Sequence, residues 1–165
     1  KQIRRQLREN LDAVPYVSGV NNHMGSRFME DDFRLSIVME ELGKRGLYFV
    51  DSRTTPASRG REAANRKGVR FAERDIFIEH FPGYEAAVKN LTGPSLRKGK
   101  NEKPVLMIGH PQPDTVRALK DTLPRWRQEG ARLIAFPTFL EIYMEENRSA
   151  LAASERSPDR KEMAR

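Results

Sequence analysis

Short apolar runs recur along this chain, each ending in a polar cluster and each separated from the next by a segment of helical periodicity. Residues 17–20 run into Asn21-Asn22-His23, residues 47–50 into Asp51-Ser52-Arg53, and residues 105–108 into Gly109-His110-Pro111. A further run at 133–136 precedes Pro137, and residues 69–72 and 75–78 read as two strands or one interrupted strand. The run at 47–50, Leu-Tyr-Phe-Val, shows no polar alternation, as in a strand covered on both faces. Between the runs, Ile3, Leu7 and Leu11 fall at i, i+4, i+8, and Leu35, Val38, Met39 and Leu42 at i, i+3, i+4, i+7. Asp31-Asp32 opens the second of these helices, where acids meet the positive end of the helix dipole. Val116, Leu119, Leu123 and Trp126 mark the inner face of a later helix that starts at Pro113 and is bent at Pro124.

Strands alternating with helices at intervals of about 30 residues predict an α/β fold of βα units, with parallel strands forming an open sheet or a partial barrel. In such folds the chemistry lies at the C-terminal ends of the strands, which is where the three polar clusters fall. The α/β unit is read over residues 1–146. Residues 147–165 are polar, poor in apolar side chains and expected to be disordered.

Composition narrows the function classes. Cysteine is absent, which excludes disulfides, thiolate metal sites and cysteine nucleophiles. No apolar run approaches the ~18–20 residues of a membrane-spanning helix. Thirty basic against twenty-three acidic residues give a net charge of +7. The excess is dispersed over residues 1–9, 53–67 and 97–103, with acidic pairs between, and carries no nucleic-acid-binding motif or interleaved aromatics. It reads as solvated surface, with no specific nucleic-acid partner.

Two of the three histidines lie at strand ends. His23, flanked by asparagines and followed by Met24-Gly25, is either a turn residue bonded to backbone or a metal ligand. His110, on a loop stiffened by Pro111, is either a turn residue or a proton donor or acceptor with a pKa suited to neutral pH. Asp51 either caps the following segment or orients a functional group. His80, beside Phe81-Pro82-Gly83, has no such context and reads as an ordinary loop residue.

The ordered set Asn21-Asn22-His23-Met24-Gly25-Ser26-Arg27, residues 47–55, residues 74–78 and Ile108-Gly109-His110-Pro111-Gln112-Pro113-Asp114-Thr115 resembles the divergent polysaccharide deacetylase family, a branch of the NodB-homology carbohydrate esterases. The resemblance covers about residues 1–140. It implies a distorted (β/α) barrel with a divalent metal, usually zinc, and hydrolysis of N-acetyl or O-acetyl groups on a polysaccharide or amino sugar. In that reading His23 belongs to the metal site and His110 is the acid that protonates the leaving amine. Asp51 supports the site, and Asn22, Ser26 and Arg53 touch substrate or hold the groups that do. Members of the family begin with a strand ending in Asp-Asp and carry further βα units and a His-containing strand. This chain lacks them, so the base and at least one ligand are expected to lie outside it, and the chain alone is expected to be inactive. A carbohydrate- or cell-wall-binding relative that keeps the fold without the chemistry is the alternative. The resemblance also implies a periplasmic, secreted or envelope location.

Overall fold

A computed structural model describes residues 1–93 and 104–156. Five short parallel strands alternate with seven helices among these residues. β1 (Gly19–Asn21), β2 (Tyr48–Asp51) and β3 (Phe71–Glu73) form one sheet in that order, and β4 (Ile76–Phe77) and β5 (Met107–Ile108) form a second. The registers Val20 to Phe49, Val50 to Ala72 and Ile76 to Met107 make the strands parallel within each sheet. The helices are α1 (Gln2–Asp12), α2 (Ser26–Met29), α3 (Asp32–Lys44), α4 (Gly60–Lys67), α5 (Tyr84–Thr92), α6 (Pro113–Gln128) and α7 (Phe136–Arg156).

One face of the first sheet is covered by α1, α3 and α4. Asp31 caps α3 by accepting the Arg34 backbone N–H at 2.9 Å, which fixes the helix start. From there Leu35, Met39 and Leu42 reach the core with no exposure, against Phe49, Phe71, Ala63 and Ala64. Each such leucine contributes about 1.5–3 kcal/mol by burial. Gly68, at φ 64°, ends α4 in the left-handed conformation that glycine adopts without strain and returns the chain to β3. α1 is fastened to α3 by charge. The carboxylate of Glu41, almost fully buried, takes Arg8 at 2.8 Å and Arg45 at 3.4 Å, and its hydrogen bond from Arg8 holds it below the usual carboxylate range against the opposing effect of burial.

The opposite face is covered by the first turns of α7, whose Phe139 and Leu140 bury against Ala72 while the Phe136 ring lies 4.8 Å from that of Tyr48. Tyr48 in turn lies flat over Gly19, where a Cβ would come within 2.0 Å of the ring. A third cluster joins α5 and α6 through Leu91, Ala118 and Trp126, the indole N–H donating to the Leu91 carbonyl at 3.2 Å.

Two expectations from the sequence are corrected here, and one open choice is settled. The strand at 133–136 is not formed: residues 131–135 have no regular structure and Phe136 is the first residue of α7. Its aromatic ring belongs instead to a helical stripe, Phe136, Phe139, Leu140 and Tyr143, spaced i, i+3, i+4, i+7 to seat on the sheet. The segments at 69–72 and 75–78 are two strands in two sheets, and the chain changes sheet across a single peptide bond. The Arg74 N–H donates to the Asp51 carbonyl at 3.0 Å, and the next N–H, of Asp75, donates to the Leu106 carbonyl at 2.8 Å. The last helix runs beyond 146 to Arg156, while residues 157–165, like the basic segment 97–103, lie outside the described residues. No helix among the described residues is long and apolar enough to cross a membrane.

Candidate functional site

β1 and β5 are the outer strands of the two sheets, yet their C-terminal loops meet. The imidazole rings of His23 and His110 lie 5.7 Å apart in an edge-on arrangement. The ring of Phe77, from β4, meets His110 edge-on at 5.7 Å, and the Arg74 guanidinium lies 5.5 Å above Phe77. The two histidines read from the sequence are therefore brought into one place, at the C-terminal side of the parallel strands.

The loops that carry them are fastened by the polar residues that follow β1 and β2. Asn22 accepts the Ser52 backbone N–H at 2.8 Å and donates to the Met24 carbonyl and the Thr54 hydroxyl, each at 3.4 Å. Asn21 donates to the Ser52 hydroxyl at 3.2 Å, and Ser26 donates to the Thr54 carbonyl at 3.0 Å. Met24 (φ 57°) and Arg53 (φ 51°) are both left-handed without being glycine. Such backbone costs about 1–3 kcal/mol per residue and persists where the surroundings over-determine it, as this lattice of bonds does. Asp51 is turned into the interior. It is 1% exposed, and its oxygens accept the Arg53 N–H at 2.7 Å and the Ser58 hydroxyl at 2.5 Å, so it holds the loop rather than touching a ligand. Arg53 pairs with Glu73 at 3.7 Å, a carboxylate shared with Arg61 at 3.0 Å. Arg61 stays above the usual guanidinium range: burial pulls it down, but its bonds with the Tyr143 hydroxyl and Glu73 outweigh that.

Glu79 is a residue that sequence reasoning passed over, and Arg74, though it opens the motif at residues 74–78, received no role there. Glu79 follows β4. Its Oε1 accepts the His110 backbone N–H at 2.5 Å and the buried Thr115 hydroxyl at 2.8 Å. Its Oε2 is buried, accepts no hydrogen bond and stands 3.8 Å from His110 Nδ1. Glu79 thus ties the His110 loop to α6 and faces one nitrogen of its imidazole. The available signal was an acid closing an apolar run, Ile76-Phe77-Ile78-Glu79, the same pattern that singled out Asp51. His80 makes an edge-on contact with Phe81 at 4.7 Å.

The donors present do not make a complete metal site. No group of three or more His, Asp or Glu side chains among the described residues is arranged to hold an ion, and a stable zinc site needs three or four protein ligands. His23 and His110 supply two imidazoles, and Glu79 is turned toward His110 Nδ1 rather than toward the space between the rings.

Fold and site define a parallel α/β protein in which two strand-end histidines, His23 and His110, come together. The chain belongs to the divergent polysaccharide deacetylase family, which it matches over residues 1–140. It is 34% identical over 119 residues to the uncharacterized protein YibQ of Escherichia coli, covering 72% of this chain and 37% of that protein. An uncharacterized protein of Haemophilus influenzae is 32% identical over the same length, covering 72% and 42%. The chain thus spans about two-fifths of the length of the curated relatives it matches. The crystal structure of the uncharacterized protein ATU2773 from Agrobacterium tumefaciens shares the fold, with a TM-score of 0.70 at 19% identity over 79% of this chain and 55% of that one.

Proposed function

We propose that this chain is part of a metal-dependent carbohydrate deacetylase of the distorted (β/α) barrel type, hydrolysing an N-acetyl or O-acetyl group on a polysaccharide. The observation that carries the reading is the meeting of His23 and His110 from the two outer strands, with Glu79 behind the second imidazole. In this reading His110 is the proton donor. Glu79 and Thr115 fix its loop, Glu79 orients Nδ1, and the Nε2 proton is the one delivered to the leaving amine. Asn22, Ser26 and Asp51 hold the loops in register, and Arg53 lies at the rim. His23 is assigned to a divalent metal, zinc foremost, whose remaining ligands would come from outside this chain. No step of the reading depends on that ion's placement.

The test is a pair of variants in the full-length protein, assayed on an N-acetylated sugar oligomer with metal content measured alongside. His110→Ala is expected to lower turnover by about 100-fold or more, the usual worth of a positioned acid, and to leave metal content unchanged. His23→Ala is expected to lose both. Metal stripped by His110→Ala and retained by His23→Ala reverses the two roles. A wild-type protein that binds the oligomer and hydrolyses nothing makes it a carbohydrate-binding relative.

A further inference from the structure

We propose that Arg74 forms, one aromatic ring from His110, a binding site for a carboxylate, and that the glycan taken by this site is an acidic one. The inference rests on the deacetylase reading only for the substrate being a glycan. The geometry is that of a cation held in place and left uncompensated. Arg74 leaves β3 at the point where the chain changes sheet, so its backbone is pinned from both sides. Its Nε donates to the Ser52 carbonyl and its Nη2 to the Arg53 carbonyl at 3.1 Å, two acceptors at the end of β2 that fix the plane of the guanidinium without neutralising it. A guanidinium has five N–H donors in a rigid fork, so donors remain for a planar anion.

The neighbouring arginines are served differently. Arg53 and Arg61 share Glu73. Among the described residues no carboxylate lies within 4.0 Å of Arg74. Asp51 is the acid whose field reaches it, and each of that residue's oxygens is already engaged, by the Arg53 N–H and by the Ser58 hydroxyl. Half-burial, then the charge of Arg53, depress its proton affinity below the ordinary guanidinium range, as befits a cation whose surroundings lack an anion. The cation also lies close to the imidazoles. It stands 5.5 Å over Phe77, whose ring meets His110, whose ring meets His23. An anion on Arg74 therefore sits one aromatic ring away from His110.

The experiment is calorimetric titration of the full-length protein with two N-acetylated oligosaccharides of equal length, one neutral and one alternating with a uronate. Binding is read rather than turnover, so a protein that hydrolyses neither still answers the question. Wild type is expected to bind the acidic oligomer at least about tenfold tighter, the worth of one charge-assisted contact, with a preference that falls as salt is raised. Arg74→Gln is expected to abolish the preference and leave neutral binding unchanged. Arg74→Lys, which keeps the charge but not the fork, is expected to retain only part of it. No preference in wild type overturns the proposal, and that measurement stands even where Arg74→Gln does not fold. Equal loss of both ligands in Arg74→Gln also overturns it, since the arginine is then a structural clamp or is neutralised by a carboxylate of the protein itself.

Discussion

Glu79→Ala tests the arrangement around His110 most directly. The substitution removes the acceptor of two hydrogen bonds, from the His110 N–H and from the Thr115 hydroxyl. The two losses are unequal. Thr115 is 3% exposed, so its hydroxyl is left buried without this partner, whereas the His110 backbone sits at the surface where water replaces the carboxylate. An orphaned buried group costs about 1–3 kcal/mol and an exposed one about 0.5–1.5 kcal/mol, giving about 2–4 kcal/mol together. At a urea dependence of about 2 kcal/mol per molar, the midpoint of denaturation falls by about 1–2 M. Glu79→Gln separates stability from orientation. Its amide oxygen still accepts both bonds, so the midpoint moves by less than about 0.5 M, within 1 kcal/mol. Its amide nitrogen, however, replaces Oε2 opposite His110 Nδ1, turning an acceptor into a donor. Long-range nitrogen–proton NMR of the imidazole is then expected to show the neutral tautomer moving from Nδ1–H in wild type to Nε2–H in the variant. A Glu79→Ala midpoint shift below about 0.3 M, or an unchanged tautomer in Glu79→Gln, would refute the assignment of Glu79 as the residue that positions His110.

Asp51→Ala leaves the Ser58 hydroxyl and the Arg53 N–H without their acceptor, and a loss of about 2–4 kcal/mol in chemical denaturation is expected. Gly19→Ala places a methyl where the Tyr48 ring lies, and forced repacking is expected to cost about 1–3 kcal/mol in the same assay, with partial recovery in the Tyr48→Leu background. Glu41 is depressed below its ordinary 4.5 in the folded protein, chiefly by the hydrogen bond from Arg8. Its contribution is therefore present above pH 4.5 and lost as pH falls through the folded value. Glu41→Gln is expected to be less stable than wild type at pH 7 and to lose less on acidification, a difference visible in thermal melts at pH 7 and pH 3.

The parts of the fold legible in the sequence are those where a local pattern decides. β2 is a continuous apolar run and forms within one residue of its expected place. α3 has both its cap and its stripe in the sequence, and forms from Asp32 to Lys44. Residues 133–136 fail the same reasoning because strand formation needs a paired edge. Among the described residues β5 pairs only with β4, and the helical spacing from Phe136 to Tyr143 wins instead. In the site, His23 and His110 are legible from their positions after strands, although their meeting is not, since it depends on how two separate sheets are set together. Glu79 escapes because its partners, His110 and Thr115, lie 31 and 36 residues away, beyond any spacing a motif expresses. Arg74 opens the motif at residues 74–78, but its role is not legible there, since its partners, the Ser52 and Arg53 carbonyls, lie 22 and 21 residues away.

The change of sheet across one peptide bond has a mechanical consequence. His23 is carried by the sheet of β1, β2 and β3, and His110 by that of β4 and β5, so the gap between the rings is set by how the two sheets are joined at Arg74 and Asp75. A ligand that grips both imidazoles would act as a brace across that joint. Its binding energy would add to the rigidity of the whole molecule, raising the unfolding temperature with ligand concentration and slowing amide exchange in both sheets together.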